Sequence, residues 1–444
     1  MAPSGPGGGI WRVAASGGTP ERLIAIDAGQ TVINPQMLPD GDHVLFSLTT
    51  GAHWDQANIF VQSVSTGQRQ AVVDKGIDGR YLASGHLVFG RDGVIHAVRF
   101  DPSRQRVIGP PVPVLAGVSQ QTSGGAWGGF DYAVSDEGSL AYVPAEAAAS
   151  RRALIVVDRA GQQEALASEP RAYQYPRLSP DGQRVALDLR DQLNDVWQWD
   201  VGRSTLTRLT INRRAGGPAI WTHDGRAVLF GPDVDGVINL YKQSTSGGDP
   251  QRLTTSPNTQ FVGDTTPDGK RLIFEEVHPA NGFDLRTVAV DEPSPPEDLL
   301  ATRFNEHNAD VSPDGAWIAY QSDESGRYEV YVRPFPRVNE GRWQLSPNGG
   351  TRPLWSRDGR ELFFLDQNRR LNVVSVAGAR TLTFGRSQVL FDTAQFGLQG
   401  QQRNFDLAPD GKRFLMVQNL PPPADVPSIV LIQHWFEELG AKVH

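Results

Sequence analysis

Histidines and carboxylates carry the residue pattern in this 444-residue chain closest to metal chemistry. Glu306 and His307 are adjacent, one residue separates His53 from Asp55, and His278 adds a third imidazole. Imidazoles and carboxylates that converge would hold a divalent cation, zinc or calcium, and a bound metal could activate water for hydrolysis. The spacing is not that of His-Glu-x-x-His, where one helical face fixes two ligands. Locally hydrogen-bonded histidines are the plainer account. Asp264, Asp310 and Asp406 form a second set, at equivalent places in a repeat. They suit either Ca²⁺ or, as the expected role, backbone amides of the neighbouring repeat unit. The chain has no cysteine, which removes disulfides, Cys-ligated zinc and a Cys nucleophile.

The elements that position these residues follow from the repeat. An apolar strand, a turn close to Ser-Pro-Asp-Gly and a second apolar strand recur along the chain. The turns begin at Leu38, Ser135, Ser179, Thr222, Thr266, Ser312, Ser356 and Ala408, and a degenerate unit spans Tyr81 to Phe100. From Glu137 the acidic turn position recurs at 181, 224, 268, 314, 358 and 410, a period of about 45 residues. In these turns Pro presets φ, Asp bonds the backbone and Gly takes positive φ. Third strands read polar–aliphatic–aromatic, as in Asp195-Val-Trp197 and Glu329-Val-Tyr331, and fourth strands read Arg-Leu-Thr at 208–210 and 252–254. Four short strands per unit of this length predict an all-β fold, a β-propeller. Trp197, Trp199, Trp221 and Trp355 recur at blade positions and are expected between blades; His43 and His223 are expected as exposed turn residues.

Residues 1–29 match the third and fourth strands of a later unit, so the chain starts in mid-blade. Residues 30–420 hold the repeats, and 421–444 hold a closing strand, Ile429 to Trp435, and a tail with a short helix at Trp435–Leu439. The expectation is one ring of eight or nine four-stranded blades, with N-terminal strands closing the last blade. A net charge of −8 argues against nucleic acid as a partner. No apolar stretch of about 18 residues exists to span a membrane, and the start lacks a signal-peptide pattern. A monomer that stays where it is made is expected.

The Ser-Pro-Asp-Gly hairpin followed by an aliphatic–aromatic strand resembles the TolB-type propeller repeat over nearly the whole chain. Three stretches, 305–315, 324–335 and Gln433-His-Trp-Phe436, resemble the extracytoplasmic propeller of bacterial receptor-like serine/threonine kinases. That resemblance implies a sensor or interaction module. The chain carries no kinase motif and no Gly-x-Ser-x-Gly elbow, so the expectation is a detached propeller, neither kinase nor prolyl peptidase.

Blade topology puts the Ser-Pro-Asp-Gly turns on one rim and the start of each first strand on the other, around the channel mouth. Tyr81, Trp127, Tyr173, Tyr175, Glu306, His307, Arg352 and Arg403 are expected there as a ligand-binding set, taking a small molecule or a protein or peptide. The leading reading is a non-enzymatic binding module. The alternative is a metal-dependent hydrolase or lyase using Glu306, His307, His53, Asp55 and His278 at the same mouth. A scaffold whose partner sits on the turn rim is the third.

Overall fold

The computed structural model describes residues 8–27, 29–50, 54–120, 129–145, 151–166, 169–190, 194–211, 217–234, 236–292, 294–378, 381–398, 400–421 and 423–443. The fold is all-β, as expected, and falls into two compact units: Met1–Ala149 with Pro422–His444, and Ser150–Pro421.

Among its described residues the second unit contains six antiparallel sheets of four or five strands and a two-stranded sheet, Asp233–Val234 with Val237–Ile238. The first begins with Tyr173–Leu178 and Arg184–Leu189, the second with Ile220–Trp221, the third with Gln260–Thr265, the fourth with Glu306–Val311 and the fifth with Thr351–Trp355. Alternation along each strand sends successive side chains to opposite faces. In the first sheet Val185, Leu187 and Leu189 therefore pack on Leu154, Leu415 and Val417 of the sixth, while Ala186 packs on Trp221 and Phe230 of the second. The same interleaving joins each sheet to the next, through Phe274, Tyr320, Phe364 and Phe414 in turn, and so back to the first. Trp199, Trp221 and Trp355 are buried in these interfaces, as expected.

The sixth sheet closes the cycle. Its order is Phe405–Leu407, Arg413–Asn419, Arg152–Asp158 and Gln163–Ala165. The last repeat supplies two strands, and seven residue pairs from Arg152 to Asp158 complete the sheet. The closure therefore differs from the expected one. Chain-N-terminal strands Gly9–Arg12 and Glu21–Ala25 pair with each other, and the six sheets form their own closed cycle within 150–421. Pairing with the apolar run that precedes the first clean repeat satisfies the exposed edge of the last repeat.

The turns behave as their chemistry predicts. Ser179 donates its hydroxyl to Asp181 Oδ1 at 2.5 Å, Gly182 N–H donates to Ser179 O at 2.8 Å, and Gly182 takes φ of 70°. The Ser179 bond, joined by the Gln183 amide, holds the Asp181 carboxyl below its ordinary value. The Arg-Leu-Thr strands end in a hydroxyl that accepts the first amide of strand three: Val196 N–H to Thr210 Oγ1 (3.0 Å) and Leu240 N–H to Thr254 Oγ1 (2.9 Å).

Among its described residues the first unit has two four-stranded sheets, beginning at Gln30 and Ile77, a two-stranded sheet and a three-stranded sheet. The degenerate repeat is thus a complete sheet. The three-stranded sheet joins Val430–Ile432 to Leu140–Tyr142, so the C-terminal strand completes this sheet and not the last repeat. The helix Trp435–Lys442 follows and buries Trp435 and Leu439, one turn apart on one face.

Candidate functional site

The first strand of most repeats carries a bulge that sequence reading missed. Asn34, Asp78, Tyr175, Asn308 and Arg352 all take positive φ near 50°, each four residues before its turn. Register slips at these places, for example between Gln174 and Arg177 and between Thr351 and Leu354. Non-glycine residues in this conformation are uncommon and concentrate at functional or constrained places. A signal was present: Asn34, Tyr175 and Arg352 each precede proline, which disfavours the right-handed helical region for the residue before it.

Two residues beyond the bulge lie the three aspartates of the repeat. Each accepts the backbone amide of the following sheet: Asp264 from Val311 (2.8 Å), Asp310 from Trp355 (2.7 Å) and Asp406 from Leu178 (2.8 Å). The bonds are those of the expected inter-repeat role. Arg403 donates to Asp310 at 2.6 Å and to Pro353 O at 3.0 Å, and Arg177 donates to Arg403 O at 2.8 Å. These groups are enclosed together. Burial, reinforced by the Asp310 charge, pushes the Asp264 carboxyl up to about 7. Burial, reinforced by Arg403, pulls the Arg177 guanidinium down to about 9.

Glu306 and His307 do not act together, because neighbours on a strand face opposite ways. Glu306 accepts the Thr302 hydroxyl at 2.5 Å, near Asp284 and Asp323, and burial pushes its carboxyl up to about 8. His307 Nδ1 meets Glu275 at 3.0 Å and its ring lies 4.2 Å from that of Phe283. Glu275 also accepts Asn308 N–H (2.7 Å) and Gln402 Nε2 (2.8 Å). His278 is exposed at the end of a hairpin and accepts Ala280 N–H. His53, Trp127 and the Asp55 side chain lie outside the described residues. Among the described residues no three His, Asp or Glu side chains are grouped to hold a metal ion.

The aromatic candidates separate. Tyr173 is buried among Leu154, Leu187 and Trp199, with its hydroxyl bonded to Glu169 O, because its side chain falls on the sheet-packing face. Tyr81 packs against Phe100 in the first unit. Tyr175 sits at a bulge of the second unit, with the Arg190 guanidinium 5.6 Å from its ring centre. A Cβ at Gly400 would stand 3.0 Å from the Tyr175 hydroxyl, so this glycine lets the chain pass close by.

Arg352 and Tyr175 meet the segment that precedes the last first strand. Arg352 Nη2 donates to Leu398 O and Gly400 O, and its backbone N–H donates to Gln321 Oε1 at 2.8 Å. Beyond that segment, Gln402 and Arg403 turn inward to Glu275 and Asp310. The segment thus bonds to the third, fourth and fifth sheets, at Glu275, Asp310 and Pro353. Beside it lies a cleft of about 430 Å³, lined by Thr351, Arg352, Leu365, Asp366, Arg369, Leu398 and Gly400. Burial pulls the Arg352 guanidinium down to about 10, with the charge of Arg369 adding to the effect.

Comparison with known proteins agrees with this architecture. The family model for the TolB beta propeller domain matches residues 132–313. An uncharacterised protein of Agrobacterium fabrum is 22% identical over 201 residues, covering 43% of this chain and 68% of that protein. The Tol-Pal system protein TolB of Francisella tularensis is 29% identical over 164 residues, covering 34% of this chain and 36% of its own length. A solved structure assigned provisionally to TolB, from Agrobacterium tumefaciens, superposes with a TM-score of 0.51 at 20% identity. It covers 61% of this chain and 99% of that chain. The aligned stretch is little more than a third of the Francisella TolB, and the domain match at 132–313 together with the shared fold has one reading: this chain carries a TolB-type β-propeller.

Proposed function

We propose that the chain is a binding module whose ligand is a protein or peptide, received at the first-strand end of the second unit beside Tyr175, Arg352 and Gly400. One observation carries this reading. The buried ionisable residues expected to do chemistry are committed to the fold: His307 to Glu275, Arg403 to Asp310, and the repeat aspartates to backbone amides. General acid–base work needs a group within reach of a substrate proton, and these groups reach one another. The open cleft beside Arg352 offers donors and apolar walls, which suit recognition. The likeness to a Tol-Pal system protein points the same way.

Selection of displayed random peptides on the immobilised chain tests it. Enriched peptides should lose binding to Thr351→Trp, which fills the cleft, and keep it with Asp268→Lys on the turn rim. Peptides indifferent to Thr351→Trp, or no enrichment at all, would sink the reading.

A further inference from the structure

Arg352 is a buried cation of the second unit with no ion-pair partner among the described residues. Its side chain and backbone together are only 7% exposed. Nη2 is taken by two carbonyl oxygens, Leu398 and Gly400. Nε and Nη1 have no protein acceptor among the described residues, and neither is sealed from the cleft. A buried charge is expected to be paired or to bind something.

The one carboxylate lining the cleft is spoken for. Asp366 Oδ1 accepts the amides of Asn368 and Arg370, and Oδ2 accepts Arg370 Nε (2.9 Å) and Nη2 (2.7 Å). Arg369, exposed on the same wall, has only a long 3.4 Å bond to Phe396 O. Two guanidiniums thus share a cleft without a free acid, beside the apolar Leu365 and Leu398.

We propose that this cleft binds a carboxylate of the peptide ligand, held by Arg369 and by a free N–H of Arg352, with the methylene stem of the acid between Leu365 and Leu398. The exposed Arg369 guanidinium can meet a carboxylate through two parallel N–H···O bonds, and Arg352 adds one charge-assisted bond beside them. The proposal rests on the binding-module reading above and names what that site recognises. A side-chain acid and a free C-terminus present the same chemistry, so the test separates them.

The probes are the displayed peptides whose binding Thr351→Trp abolishes, remade by synthesis. Each is measured by fluorescence polarisation against the full chain, as the acid, with its acidic residue changed to Gln or Asn, and with an amidated C-terminus. One of the two neutral forms should bind at least roughly tenfold more weakly, the scale of one lost charge-assisted bond. Arg369→Gln, an exposed change that spares the core, should weaken the acid and leave its neutral form unchanged. Thr351→Trp-sensitive peptides that bind equally in neutral form overturn the carboxylate and leave the binding module standing. Displacement by inorganic phosphate of peptides indifferent to neutralisation makes the site a phosphate site and also overturns it. If no peptide is sensitive to Thr351→Trp, the parent reading falls first.

Discussion

Asp406 Oδ2 accepts the amide of Leu178 at 2.8 Å across 228 residues of sequence, joining the last repeat to the first clean one. The same bond links Asp264 to Val311 and Asp310 to Trp355 inside the cycle, so closure repeats an internal rule. The carboxylate also faces the buried Arg177 and Arg403 guanidiniums. Asp406→Ala should therefore cost about 3 kcal/mol, since it strands the Leu178 amide and removes a compensating charge beside the buried Arg177 and Arg403. Urea unfolding measures it, and the Leu178 amide should exchange faster with solvent. A loss under about 1 kcal/mol would mean the bond is incidental.

The turn glycines test the packing of that closure. A Cβ on Gly182 would sit 2.6 Å from Pro409 Cγ, whereas one on Gly411 meets nothing within 4 Å. Both take positive φ, 70° and 66°. Gly→Ala at either should cost about 1 kcal/mol for the left-handed conformation. Gly182→Ala should cost about 1 kcal/mol more, for overpacking against Pro409. Equal losses in thermal or urea unfolding would show that the two turns do not press together.

Much of this was legible in the residues, for reasons that also mark where legibility ends. The turns carry their own chemistry, so Ser179, Asp181 and Gly182 announce their geometry locally. Inter-blade tryptophans follow from strand alternation. Closure depends on which edge reaches which, and two stretches of sequence were suitable. The half-repeat at 9–25 matched the pattern, yet the apolar run Ala153-Leu-Ile-Val-Val157 stands beside the first clean repeat and takes the edge. The site was less readable still. Equivalence of Asp264, Asp310 and Asp406 was visible, but that Arg403 turns inward to Asp310 depends on a segment crossing from another repeat. His307 and Glu306 read as a pair because adjacency in sequence hides the opposite faces of a strand.

Glu306 predicts a pH dependence. Its Oε2 is buried without a partner, and burial, with Asp284 and Asp323 nearby, raises its carboxyl from 4.5 to about 8. The folded chain therefore keeps a proton that the unfolded chain releases near its ordinary value. Stability should fall as pH rises from about 4.5 to about 8, with the penalty complete above that. Glu306→Gln keeps an acceptor for Thr302 and removes the titration. Its stability relative to the parent should grow steadily across that window. Asp264 and Asp188, raised to about 7 and about 6, contribute the same sign in both proteins and cancel in the difference. Urea unfolding at several pH values decides it, and a pH-independent difference would refute the assignment.

His307 and Glu275 give the last prediction, because their pairing gives the buried imidazole a structural partner. Both side chains are fully buried, and Glu275 serves three donors: His307 Nδ1, the Asn308 amide and Gln402 Nε2. Removing Glu275 strands all three, whereas removing His307 leaves the carboxylate with two donors and opens a cavity against Phe283. Glu275→Ala should therefore destabilise by about 3–5 kcal/mol. His307→Ala should cost less, about 2–3 kcal/mol. The double variant should cost less than the sum of the two by about 1–3 kcal/mol, the coupling of groups in direct contact. Unfolding of the two single variants and the double variant closes the cycle. Additive losses would mean that the imidazole and the carboxylate are held by their surroundings and not by each other. That result would free His307 from its structural role and reopen the question of what its unpartnered Nε2 is for.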